Sequence, residues 1–204
     1  MRIGLISDTH LPSLMRQLDE LGPEAARFLA TVDLILHGGD IVTRGVLDWC
    51  EQFAPVLAAR GNHDVLDDPR VADTQVLTVE GWRIGMVHDL RPIAAAPSEL
   101  AALHFGGAAL DVMIGGDTHV ERLEHCDGVI LVNSGSPNLP HHRETRLGTV
   151  GLLELTPGRL HAEIITLGQT RERRNPGTPR HMLFEGGRLV AASYDGEAID
   201  LATV

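Results

Sequence analysis

Aromatic residues are scarce in this sequence, at 3% of the chain, and basic ones are few: 17 Lys and Arg stand against 28 Asp and Glu, a formal charge of −11. A general nucleic-acid binder needs a cationic surface to displace counterions and often aromatics on which bases stack, so the composition argues against that class. An anionic ligand would have to meet local positive charge, which bound metal ions can supply while neutralising some of the acids. Cysteine is nearly absent. Cys50 and Cys126 lie far apart and in no Cys-x-x-Cys pair, leaving neither a disulfide framework nor a thiolate zinc site and pointing to a reducing compartment. Long apolar runs are missing too, and the stretch from Met1 meets Asp8 too soon for a signal peptide. A cytoplasmic location without membrane contact is expected.

With 204 residues the chain can bury one substantial core. A single domain over residues 1–204 is expected, with 169–204 a C-terminal extension whose role the sequence leaves open. The apolar run Arg2–Ser7 suits a buried strand that delivers Asp8 to a loop. Leu14, Leu18 and Leu21 share a helical face, and Pro23 can restart the helix toward Phe28 and Leu29. Leu34–His37 and Val56–Ala59 are further strands, and between them Thr43 is placed to cap a helix reaching Phe53. After residue 73 the signals become hairpins: Thr74–Val79 with Arg83–Val87, Glu121–Cys126 with Val129–Asn133 across Asp127-Gly128, and Thr149–Glu154 with Arg159–Thr166 across Pro157-Gly158. These hairpins are assigned to a second sheet, and residues 169–180 to an exposed loop. The expected architecture is α/β, two stacked mixed β-sheets flanked by helices in a four-layer αββα sandwich.

Five segments share one design, an apolar run that stops and is followed by metal-capable side chains: Asp8-Thr9-His10, Gly39-Asp40, Asn62-His63-Asp64, His88-Asp89 and Asp117-Thr118-His119. Each alone reads equally well as a turn. Ligands of α/β sheets gather beyond the carboxyl ends of strands, so these side chains can converge on one crevice. Carboxylate, imidazole and amide donors without sulfur suit Mn²⁺, Fe²⁺ or Zn²⁺, and a carboxylate can bridge two ions.

These motifs together resemble those of the calcineurin-like metallophosphoesterases, over roughly residues 1 to 166, and the size is similar to their small branch, which includes bacterial and archaeal phosphodiesterases similar to the metallophosphoesterase-like retromer subunit of eukaryotes. The resemblance implies two divalent ions, Mn²⁺ first, with Fe, Zn or Ni as alternatives. By it Asp8, His10, Asp40 and His119 hold one ion, and Asp40, Asn62, His88 and Asp117 the other. A bridging hydroxide would then attack a phosphate ester while His63, oriented by Asp64, protonates the leaving alkoxide. The sequence departs from the family at Gly116-Asp117-Thr118-His119, where Gly-His-Thr-His is usual, and an oxygen donor there favours harder cations such as Mn²⁺ or Mg²⁺.

Asn133-Ser134-Gly135-Ser136 resembles the family's Asn-Pro-Gly-Ser turn and leads to His142 and Arg143, which are placed to grip a phosphate oxygen. A small phosphate ester, diester or monoester, is the expected partner, and self-association stays open. The competing expectation is a non-catalytic scaffold or interaction module on the same fold.

Overall fold

The computed structural model describes residues 1–11, 18–142 and 145–201. The first half alternates strand and helix: β1 (Arg2–Ile6), α1 (Gly22–Leu29), β2 (Leu34–His37), α2 (Arg44–Cys50), β3 (Val56–Ala59) and the short β4 (Val71–Ala72). β1, β2 and β3 pair in parallel and are buried on both faces, which is why they read as unbroken apolar runs. Ile3, Leu5, Leu34 and Leu36 point to one side, into the main core, while Ile6, Ile35, Val56 and Ala58 point to the other, against Leu29 of α1 and Val46, Leu47 and Cys50 of α2. Thr43 occupies the cap position of α2 with extended backbone, but its side chain makes no capping bond. Leu14 of the expected first helix lies outside the described residues.

The next elements are β5 (Thr74–Val79), β6 (Trp82–Val87), α3 (Pro97–Phe105), β7 (Val112–Gly115), β8 (Glu121–Cys126) and β9 (Val129–Ser134). They form a five-stranded sheet of order β5-β6-β7-β9-β8 in which β6, β7 and β9 run parallel. The hairpin-only expectation therefore misses a strand–helix–strand crossover through α3. That helix lies on the outer face of its sheet, packing Leu100, Ala101 and Phe105 on Met113 and Leu131. Gly85 allows this approach, since a Cβ there would come within 2.5 Å of Leu110 and 2.9 Å of Phe105.

The chain then makes β10 (Thr149–Thr156), β11 (Arg159–Thr166), β12 (Arg180–Glu185), β13 (Arg188–Tyr194) and β14 (Glu197–Ala198). The sequence reading expects β10 and β11 in the second sheet, but all five strands instead extend the first, in the order β14-β13-β12-β11-β10-β1-β2-β3-β4. The turn at Pro157-Gly158 fixes the local pairing of β10 with β11, while the sheet edge that receives the pair is set by β10's nearly complete burial beside β1. The C-terminal extension thus contributes strands to the sheet. Apolar side chains of both sheets interdigitate between the layers, from Ile3 and Leu5 to Ile84, Val112 and Ile130, giving the four-layer αββα sandwich.

Candidate metal centre

The parallel strands of both sheets end at one edge of the sandwich, and the loops leaving them are tied together by backbone bonds. Asp8 N–H donates to Gly39 O (2.9 Å), His10 N–H to Asp40 O (3.0 Å) and Gly116 N–H to His88 O (2.7 Å). Asp8, His10, Asp40, Asp117 and His119 all hold left-handed backbone, with φ of 55°, 50°, 55°, 64° and 55°. Non-glycine residues avoid that region at a cost of about 1–3 kcal/mol each, and such strain clusters where side chains must converge. Gly61 is required by the same crowding, because a Cβ there would lie 2.2 Å from Asp40 N.

The donor atoms face one another. His10 Nε2 is 3.0 Å from His119 Nε2 and 3.3 Å from Asp40 Oδ2. His119 Nε2 is 3.6 Å from Asp8 Oδ1. On the other side His88 Nε2 lies 3.1 Å from Asn62 Oδ1, 3.5 Å from Asp40 Oδ1 and 3.6 Å from Asp117 Oδ1. Among the described residues three trios of ligand atoms each fall within 4.8 Å of one another: Asp8, His10 and His119; His10, Asp40 and His63; Asp8, Asp40 and His88. Asp8, His10 and Asp40 each belong to two of these trios.

The imidazole tautomers are set from behind. The Nδ1 of His88 lies 2.7 Å from Gly38 O and that of His119 2.8 Å from Leu139 O. A carbonyl only accepts, so Nδ1 carries the proton and, in the neutral ring, Nε2 presents a lone pair to the centre. Burial lowers His10 and takes His119 down to about 4 despite the Leu139 carbonyl, which keeps both rings neutral. Asp8 is fully buried, and its Oδ2 has no hydrogen-bond partner. Burial pushes its carboxyl up to about 7 against the pull of His88. Burial also opposes charge on Asp40 and His88, yet their mutual contact prevails. With help from the His63 N–H, Asp40 falls to about 2; with help from Asp8 and the Gly38 carbonyl, His88 rises to about 9. An orphaned carboxylate oxygen beside the inward-facing Nε2 atoms of the neutral His10 and His119 rings is a donor set that fits a divalent cation.

His63 sits at the rim with its side chain 56% exposed, its Nε2 3.9 Å from Asp40 Oδ2 and its ring edge-on to His10 at 5.2 Å. Asp64 differs from expectation. Its Oδ1 accepts the N–H groups of Ile41 and Val42 and its Oδ2 that of Gly61, so it fastens the β3 loop to the β2 loop instead of orienting the His63 ring. Asp117 points Oδ1 at His88, but its Oδ2 takes a 2.8 Å ion pair from Arg91, which also grips Asp89. His142 packs over His119 with ring centroids 3.8 Å apart, whereas His141 is drawn to Glu121. Arg143 lies outside the described residues.

Sequence reasoning missed the braces. Ser136 Oγ–H donates to Asp8 O and Asn138 Nδ2–H to Thr9 O, while Asn133 Nδ2–H donates to Gly116 O. Only the Asn133–Ser136 turn signalled them. His37, held neutral at about 4 by burial, accepts the Gly39 N–H and contacts Thr9 Oγ1, a structural role.

Fold and donor set together define a layered α/β protein with a candidate metal-binding centre at the edge of two sheets. The sequence model of the calcineurin-like phosphoesterase superfamily domain matches residues 1–158. A protein of Methanothermobacter thermautotrophicus named "Probable metallophosphoesterase" is 33% identical over 82% of this chain and 94% of its own length. Another so named, from Methanocaldococcus jannaschii, is 34% identical over 69% of this chain and 70% of its own. The crystal structure of Chaetomium thermophilum Vps29 superposes with a TM-score of 0.72 at 18% identity, over 91% of this chain and 98% of that one, a likeness of fold. The chain belongs to the calcineurin-like phosphoesterase superfamily.

Proposed function

We propose that this protein is a metal-dependent phosphoesterase acting on a small phosphodiester or monoester, with His63 as general acid. The observation that carries this reading is the orphaned Asp8 Oδ2 among converging Nε2 atoms, with an exposed imidazole at the rim. Asp8, His10, Asp40 and His119 would hold one divalent ion, and Asp40, Asn62, His88 and Asp117 a second, Mn²⁺ by preference with Fe, Zn or Ni as alternatives. Such a pair supplies a water of lowered pKa and neutralises charge on the phosphate.

The chain's own groups do the rest. A cavity of about 330 Å³ lined by His10, Asp40, Asn62, His63, His119 and His142 receives the phosphoryl group. His142, packed on His119, is a candidate to grip a nonbridging oxygen, as is Arg143, which follows it in sequence and lies outside the described residues. As the attacking oxygen bonds to phosphorus and the ester P–O bond breaks, protonated His63 gives its proton to the departing alkoxide. Asp64 acts through the backbone, holding the loop that carries His63. Among the described residues no helix is long and apolar enough to cross a membrane. Cys50 and Cys126 are unpaired, which supports the cytoplasmic location proposed here.

The test is hydrolysis of bis(p-nitrophenyl) phosphate by metal-stripped protein with and without Mn²⁺, beside His63→Ala. Metal-dependent turnover that falls about 10²–10⁴-fold in the variant, with bound metal unchanged, is expected. Bound metal with no turnover of diester or monoester would instead favour the scaffold.

A further inference from the structure

Behind the loops of the metal centre lies a second cavity, of about 320 Å³, between the segment after β6, the outer strand β8 and the start of β12. Its size falls at the lower end of the ~300–1,000 Å³ typical of small-molecule sites. Leu90 and Val132 form a buried floor, and Ile93 and Val120 stand over it 53% and 40% exposed. Apolar side chains left open around a concavity are a cost unless something covers them.

The charges at its rim are unevenly matched. Arg91 pairs with Asp89 and Asp117, and Arg122 with Glu124. Glu121 is occupied by His141 and the Thr178 N–H. Arg180 alone among these cations has no carboxylate partner among the described residues, and its Nε is buried without a hydrogen-bond acceptor. Its guanidinium stands 5.0 Å from the ring centroid of Tyr194, a contact that holds the side chain in place but accepts no hydrogen bond. The terminal guanidinium nitrogens likewise have no hydrogen-bond partner among the described residues but are not enclosed as Nε is, so they are the donors that an anion entering the cavity can reach.

We propose that this cavity is a binding site for a small organic anion, an aryl or short alkyl carboxylate, sulfonate or phosphate. Its apolar body lies on Leu90, Val132, Ile93 and Val120, and its acid group pairs with Arg180. Asp89 and Arg91 line both this cavity and the groove beside His88 and Asp117, so a ligand here borders the candidate metal centre without using its donor atoms. The site stands whether or not the protein is a phosphoesterase.

The test is calorimetric titration of the full chain with naphthalene-2-sulfonate, with Mn²⁺ and inorganic phosphate present to occupy the metal centre. Saturation at one per chain is expected, weakened about tenfold or more by Arg180→Gln and by Val120→Asp, and similarly for the neutral alcohol naphthalene-2-methanol. Val120 is exposed enough that its variant should fold, which circular dichroism checks. No saturable binding, or binding unchanged in both variants, overturns the proposal. Competition between the sulfonate and bis(p-nitrophenyl) phosphate would make the ligand the organic part of the substrate; binding without competition would make it a separate effector.

Discussion

The two halves of the candidate metal centre are built differently. The half made by Asp8, His10 and His119 is closed: its side chains are at most 5% exposed, its imidazoles are neutral, and the braces from Ser136 and Asn138 hold its backbone. The half made by Asn62, His88 and Asp117 is open, with Asn62 at the surface and Asp117 divided between His88 and Arg91. Asp40 belongs to both. A preformed, desolvated donor set loses little on ordering, whereas a ligand shared with a guanidinium must give up or share that partner, so the halves should differ in affinity.

The largest effect is expected for Asp40→Asn, which removes the shared carboxylate. Bound metal should drop below one ion per chain, and turnover by about 10³-fold or more, measured by metal analysis and diester hydrolysis. Asp117→Asn should strike only the open half, lowering second-ion affinity about 10–100-fold while the first ion is retained. Arg91→Gln changes a group that touches Asp117 alone among the candidate ligands, and a several-fold change confined to the second ion, read by Mn²⁺ titration, is expected.

Asp8→Asn addresses the cost of the closed half. Because the folded carboxyl titrates near 7 and the unfolded near 3.8, the native state holds the extra proton between those values. Stability contributed by this group is therefore lost as pH rises through that window. In metal-free protein Asp8→Asn should raise stability at pH 8 by roughly 1–3 kcal/mol and change it little below pH 4, by thermal unfolding in chelator.

Much of this was legible in the chain. Apolar runs ending in Asp8, Asp40, Asn62 and His88 are a local pattern, and parallel strands buried on both faces must deliver such residues to one edge. α3 carried its own signals, Pro97 and Glu99 in the first turn and Gly106 just past the end, obscured by the hairpins around it. The placement of β10 and β11 was not legible, because a turn specifies the partner strand and not the sheet. Nor were the fates of Asp64 and Asp117, since a carboxylate's partner depends on which backbone N–H or guanidinium the fold brings near.

The most direct measurement is equilibrium binding of Mn²⁺ to the metal-stripped chain, alongside Asp117→Asn. Two ions of unequal affinity, with only the weaker lost in the variant, are predicted. A single ion, or two that the variant weakens equally, would contradict a centre built from one closed and one open half.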